Sequence, residues 1–150
     1  MTAPRMARSR SLFASLAMLV LAGSVVLAAP AEAWSDLDTA YAMTNDVRSW
    51  EGLGPLSWDD SLAGIAQAWA EDLAWHGRLR HNPWLADQMW GWWAWGENVG
   101  YGPSIEAIQD GWYWSWPHWE NMVWSGYSSI GIGIAYGAGG RVYAVQVFGG

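Results

Sequence analysis

The chain has 150 residues, seven Arg and no Lys against fourteen acids, and a formal net charge of −7. It lacks the basic footprint that phosphate binding needs, so it is a poor partner for nucleic acid or for anionic lipid. It also has no Cys, so disulfides contribute nothing, and stability rests on packing, with or without a metal.

Residues 1–33 read as a secretory signal peptide. Arg5, Arg8 and Arg10 form a positive start, Leu12 to Ala29 is an almost unbroken apolar run, and Ala31-Glu32-Ala33 is a small-x-small cleavage site. The competing reading is an uncleaved anchor, since such a run could just span a bilayer. The Ala and Gly content and the cleavage motif favour removal and export. Residues 34–150 then form one domain, with no internal repeat or linker. All 15 Trp fall in this part. A domain this small cannot bury that many large rings, so several must lie on the surface or in a groove.

The first element is a helix over Asp36 to Trp50, with Leu37, Tyr41, Thr44 and Val47 on one face, ended by Gly52-Leu53-Gly54-Pro55. A second helix is expected from about Ser57, with Asp60 completing a capping box. Its stripe is Leu62, Ile65, Ala66, Trp69 and Leu73, and it fades near Gly77 to Arg80. Asn82 to Tyr101 reads as irregular. A third helix fits Ser104 to about Ser115, with Ile105, Ile108 and Trp112 inward. Pro117 opens a short fourth helix through Trp124. The period then changes to two. Ser129 to Ile134 and Arg141 to Phe148 read as the strands of a hairpin around Gly137-Ala138-Gly139-Gly140. Helices followed by a terminal hairpin indicate a layered α+β domain.

Three His follow the leader, at positions 76, 81 and 118. His76 lies off the apolar stripe of the second helix and reads as solvent-facing. Glu71, Asp72, Asp59 and Asp60 read as solvated or helix-start charges. His81 stands in Arg80-His81-Asn82-Pro83, His118 in Pro117-His118-Trp119-Glu120-Asn121, and between them lies Gly96-Glu97-Asn98. Imidazole suits proton transfer and metal ligation near neutral pH, but no two of these residues have a local ligand spacing. No serine triad is supported either, because neither Ser115 nor Ser125 has an orienting acid or an elbow motif.

Taken in order, the pieces resemble the CAP superfamily of cysteine-rich secretory, antigen 5 and pathogenesis-related group one proteins. Asn45-Asp46-Val47-Arg48 with Gly52 to Asp59 is similar to the family's first helix and its GLPPLTWD loop. His81-Asn82-Pro83 resembles its HNP element, Gly96-Glu97-Asn98-Val99 its GEN element, and Pro117 to Trp124 its GHFTQMVW signature. Ile130 to Ala135 and Val142 to Gly149 look like its closing hairpin. The resemblance implies a three-layer α-β-α sandwich and a central cleft lined by two His and two acids. His81, Glu97 and His118 take three of those positions. The fourth is a Glu in the family, and Ser115 stands in its place.

The cavity set implied by the resemblance is therefore His81, Glu97, His118 and Ser115. Two neutral imidazoles, His81 and His118, are expected to be able to bind Zn²⁺ or another divalent cation, and Glu97 to orient an imidazole or take a proton from bound water. Three functions stay open. The favoured one is a secreted, non-enzymatic binding module for a metal, a lipid-like molecule or a cell-wall component, with no membrane span once the leader is removed. The second is a metal-dependent hydrolase with Glu97 as base. The third is a structural or host-facing interaction protein. The exposed Trp expected above could stack on sugars or sit at a lipid interface.

Overall fold

The computed structural model describes residues 31–150, with side chains from Asp36 onward. The predicted leader lies outside the described residues except for its last three positions, which are helical. The element order is α1 (Ala31–Trp50), β1 (Ser57–Trp58), α2 (Asp60–His76), α3 (Leu85–Gln88), β2 (Trp95–Gly102), α4 (Ile105–Tyr113), α5 (Trp116–Val123), β3 (Ser129–Tyr136) and β4 (Val142–Gly149), with a 3-10 turn at Ala138–Gly140 in the hairpin. Helix α1 begins earlier than the predicted Asp36.

Helix α2 is capped differently from the expectation. Ser57 is in β1, and Asp59, extended at φ −130° and ψ 121°, is the cap. Its carboxylate accepts from the backbone N–H groups of Ser61 and Leu62, both at 2.9 Å, which satisfies two of the orphan donors of the first turn. Gly77, left-handed at φ 60°, ends the helix. The predicted stripe faces inward: Leu62, Ala66, Trp69 and Leu73 are buried and Ile65 packs beside them.

The four strands lie in the order β1-β3-β4-β2, with β4 antiparallel to both β3 and β2, and β1 parallel to β3. Every residue of β4 is buried, because the sheet is covered on both faces. On one side Tyr143, Val145 and Val147 pack against α2. On the other, Val142, Ala144 and Phe148 join Ile130, Ile132 and Ile134 of β3, with Ala40 and Val47 of α1, Ile105, Ile108 and Trp112 of α4, and Met122 of α5. This is a helix–sheet–helix sandwich, as the resemblance implied. No helix among the described residues is long and apolar enough to cross a membrane.

The segment expected to be irregular contains β2 and α3. Strand β2 escapes a period-two reading because Gly96, Gly100 and Gly102 occupy one of its faces. The glycines are required there. A Cβ on Gly100 would lie 2.7 Å from Cγ2 of Ile108 and 3.0 Å from Nε1 of Trp112, and one on Gly96 would lie 2.3 Å from the Tyr127 hydroxyl. Helix α4 and the turn after α5 therefore approach the backbone of β2 itself.

The expected surplus of tryptophan is on the surface. Trp75, Trp90 and Trp114 are more than four-fifths exposed, and Trp50, Trp84, Trp93 and Trp116 more than half, whereas Trp69 and Trp112 are core residues.

Candidate functional site

His81 is held by the loop that follows α2. The Trp69 indole N–H donates to the carbonyl of Arg80 at 3.0 Å. The Arg80 guanidinium stacks over the Trp69 ring at 4.7 Å and pairs with Asp72. Asn82 is buried; its side chain donates to Gln88 Oε1 at 2.7 Å and accepts from the Trp84 N–H at 3.0 Å. The ends of the Arg80-His81-Asn82-Pro83 elbow are thus fixed, and the imidazole between them is two-thirds exposed.

Glu97 points from β2 toward that elbow. Its Oε1 accepts from His81 Nδ1 at 2.7 Å and from the Asn82 backbone N–H at 3.0 Å, and Oε2 lies 3.4 Å from the same N–H. The carboxyl is buried, and burial raises its proton affinity above the ordinary carboxylate value despite the opposing pull of the Asn82 N–H and of His81. With Nδ1 of His81 donating to the carboxylate, Nε2 is left as the free lone pair facing outward.

His118 reaches the site from α5, on the other side of the sheet. Ser115 occupies the N-cap position of α5, yet its hydroxyl makes no capping bond. It lies 2.8 Å from His118 Nδ1 instead. The Ser115 hydroxyl therefore orients the His118 imidazole. Burial, and secondarily the charge of His81, lower the proton affinity of His118.

The two layers meet at β2 because β2 is the edge strand. Along it, Glu97 and Val99 face the α2 layer, while Gly96, Asn98 and Gly100 face the α4–α5 layer. Asn121 donates to the Glu97 carbonyl at 3.2 Å, and the Trp112 indole donates to that of Val99 at 3.2 Å. Side chains of α4 and α5 thereby cover the strand edge, which otherwise presents unpaired backbone groups. His81, Glu97, Ser115 and His118 are thus gathered around one edge, while exposed His76 is spent on its own helix, with Nδ1 2.9 Å from the Asp72 carbonyl oxygen.

A buried amide chain supports this arrangement and was not read from the sequence. Asn98 Nδ2 donates to the His118 carbonyl and to Gln146 Oε1, both at 3.0 Å. Gln146 Nε2 donates to Thr44 Oγ1 at 2.7 Å, and Gln109 Nε2 donates to the same hydroxyl at 3.2 Å and to the Ala40 carbonyl at 2.8 Å. The available signal was Gln146, a lone amide at an inward position of an otherwise apolar strand. Next to this chain, Trp93, Trp95, Trp124, Tyr127, Glu120 and Asn121 line an open groove of about 430 Å³.

The profile of the cysteine-rich secretory protein family, CAP, matches residues 41–148. The chain belongs to the CAP family. It does so with no cysteine of its own. No curated protein matches it. Among solved structures, an extracellular protein containing an SCP domain from Bacillus anthracis is similar at TM-score 0.69 and 23% identity, over 77% of this chain and 40% of that one. A cysteine-rich secretory protein from Staphylococcus aureus is similar at 0.68 and 21%, over 81% and 40%. An outer surface protein from Borrelia burgdorferi is similar at 0.67 and 20%, over 77% and 92%. At these identities the likeness concerns the fold. This CAP chain spans about two-fifths of the length of the Bacillus and Staphylococcus proteins.

The geometry of this CAP site gives a titration prediction for the metal-free protein. Because the folded-state proton affinity of His118 is depressed, the stability carried by its neutral ring is complete above the unfolded imidazole value. It is lost as pH falls through the lower folded value. The His118 ring, followed by two-bond ¹H–¹⁵N correlation spectra, should titrate below the ordinary imidazole value of about 6.5. A midpoint at or above that value would contradict the geometry.

Proposed function

We propose that this CAP domain is an exported, non-enzymatic binding module whose His81–Glu97–His118 site takes a divalent cation together with a lipid-like or cell-wall ligand. The observation that carries the reading is the bond from His81 Nδ1 to the buried Glu97 carboxylate at 2.7 Å. It is the arrangement in which a carboxylate fixes the tautomer of a metal-binding imidazole and sharpens its Nε2 as a donor. Ser115 plays the corresponding part for His118 when Nδ1 donates to its hydroxyl. Among the described residues no three His, Cys, Asp or Glu side chains form a metal cage. The donors we assign to the cation are the two imidazoles, with the remaining positions left to water or to oxygen atoms of the ligand. A cation so held would attract anionic or carbonyl oxygens to an otherwise acidic protein.

The same bonds weigh against a hydrolase. A general base needs a lone pair aimed at the reacting water; Glu97 spends Oε1 on two protein donors, which leaves Oε2 alone for that part. The export part of the proposal rests on the leader motif and on the extracellular description of the Bacillus relative.

Calorimetric titration with zinc tests the reading. His81→Ala combined with His118→Ala should reduce affinity at least about tenfold, and Glu97→Gln should reduce it by about tenfold through loss of the orienting carboxylate. Unchanged zinc affinity in the double variant would remove the metal from the proposal. Turnover of a peptide, ester or glycan that Glu97→Gln abolishes while zinc stays bound would replace binding by catalysis.

A further inference from the structure

The open groove of about 430 Å³ lies beside Gly96 and the end of α5, on the face of β2 opposite the Glu97 side chain. We propose that it is a second binding site, for a neutral sugar ring, set apart from the imidazoles.

The observation that carries the proposal is the Tyr127 hydroxyl. Tyr127 lines the groove yet is only 8% exposed. Its ring is locked by Phe148, stacked on it at 5.3 Å and 19°, and by Trp124, met edge-on at 4.5 Å and 73°. Among the described residues the hydroxyl has no hydrogen-bond partner, although a buried tyrosine ordinarily finds one. Side-chain polar atoms sealed from solvent are all partnered among the described residues, so this oxygen opens outward, onto the groove. Burial raises its proton affinity, which keeps it an O–H donor at neutral pH.

A second free oxygen converges on the same place. Asn121 spends Nδ2 on the Glu97 carbonyl and on Asn98 Oδ1. Its own Oδ1 accepts nothing from the described residues. A Cβ on Gly96 would lie 2.3 Å from the Tyr127 hydroxyl and 3.0 Å from Asn121 Oδ1. The two oxygens therefore flank one bare stretch of backbone, which glycine keeps open.

The walls select the ligand class. The Trp93 and Trp124 rings lie 5.7 Å apart, tilted by 53°, and Trp93 is 72% exposed. Negative ring faces attract the polarised C–H hydrogens on the faces of a pyranose. Sugar hydroxyls each donate and accept, as does the Tyr127 hydroxyl, while Asn121 Oδ1 and the Glu120 carboxylate accept. Glu120 is the one charged side chain among the residues that line the groove, so an anion is repelled. An alkylammonium would meet Glu120 but offer no acceptor to the Tyr127 O–H. An alkyl chain would leave all three polar groups without partners. A pyranose supplies stacking faces, donors and acceptors together.

The test is a zinc-free titration of the full chain with methyl β-D-glucoside, whose equatorial hydroxyls leave C–H on both ring faces. It is followed by the indole N–H signals of Trp93 and Trp124 in ¹H–¹⁵N spectra. These should shift saturably, half-saturated at about 10 mM or below. The anionic methyl β-D-glucuronide, n-butylammonium and cyclohexanol should each bind at least about fivefold more weakly. Tyr127→Phe should weaken glucoside binding at least about fivefold without lowering the thermal midpoint, because the hydroxyl holds nothing within the fold. Trp93→Ala should weaken it as much. No saturable shift, equal binding by any of the other three probes, or undiminished binding in Tyr127→Phe would overturn the proposal. His81→Ala with His118→Ala should leave glucoside binding unchanged, which separates this result from the fate of the cation site.

Discussion

Replacing Gly131 by alanine is expected to lower the free energy of unfolding by about 3 kcal/mol or more, against the 5–15 kcal/mol that a domain of this kind ordinarily has. The glycine lies in β3 directly beneath α2. A Cβ there would fall 1.9 Å from the backbone nitrogen of Ala63 and 2.1 Å from the carbonyl carbon of Leu62. Neither obstacle is a side chain that can swing aside. Helix α2 would have to lift away from the sheet, opening the contacts of Leu62, Ala66 and Trp69 with Val145 and Val147. It would also move the elbow that carries His81. Gly133→Ala meets the same obstacle one turn along, with Gln67 N at 2.2 Å. The control is Gly64→Ala on α2, where nothing lies within 4 Å of the new methyl. It should be neutral or stabilising by up to about 1 kcal/mol, from helix propensity alone. Urea unfolding followed by circular dichroism separates the two. Equal midpoints for Gly131→Ala and Gly64→Ala would show that the helix does not rest on the strand as closely as described.

Arg48→Met is the second large effect, expected to cost about 3 kcal/mol. Arg48 is buried on α1, with Nε donating to the Gly54 carbonyl at 2.8 Å and Nη1 donating to the Met122 and Trp124 carbonyls at 3.0 and 3.2 Å. The last two belong to the C-terminal end of α5, where carbonyl groups lack helical partners and the helix dipole favours a cation. Methionine keeps most of the aliphatic stem but donates nothing, so these carbonyls lose charged donors in a dry place. Because α5 also carries His118, the variant should weaken zinc binding in the folded protein as well as stability. A variant with wild-type stability would show that water replaces the guanidinium without loss.

Much of this fold was legible in the sequence because it is local. The spacing of Leu62, Ala66, Trp69 and Leu73 defines the buried face of α2. Ser104 accepts from the Ala107 N–H at 3.3 Å as the cap of α4, and the alternation after Ser129 gives the hairpin. Motif order pointed to the CAP family and picked out His81, Glu97 and His118 although none of the three is next to another in the chain. Strand β2 was not legible, since three glycines erase its alternation and Glu97 and Asn98 are poor strand formers. The cap at Asp59 was misplaced onto Ser57 because β1, only Ser57–Trp58, is too short to give a pattern.

The sequence alone determined composition, charge, the helical and hairpin periodicities and the identity of the candidate side chains, because each depends on the residue or its near neighbours. The tertiary structure decided that Glu97 turns toward His81 and the Asn82 N–H, that Ser115 gives up capping for His118, and that Gln146, Thr44 and Gln109 join in one buried chain. It also decided that the Tyr127 hydroxyl shares a groove with Trp93, Trp95 and Trp124. The turn of Glu97 toward His81 depends on an edge strand clasped by helices from opposite faces, and the buried chain and the groove on contacts between residues far apart in the chain that no local period encodes.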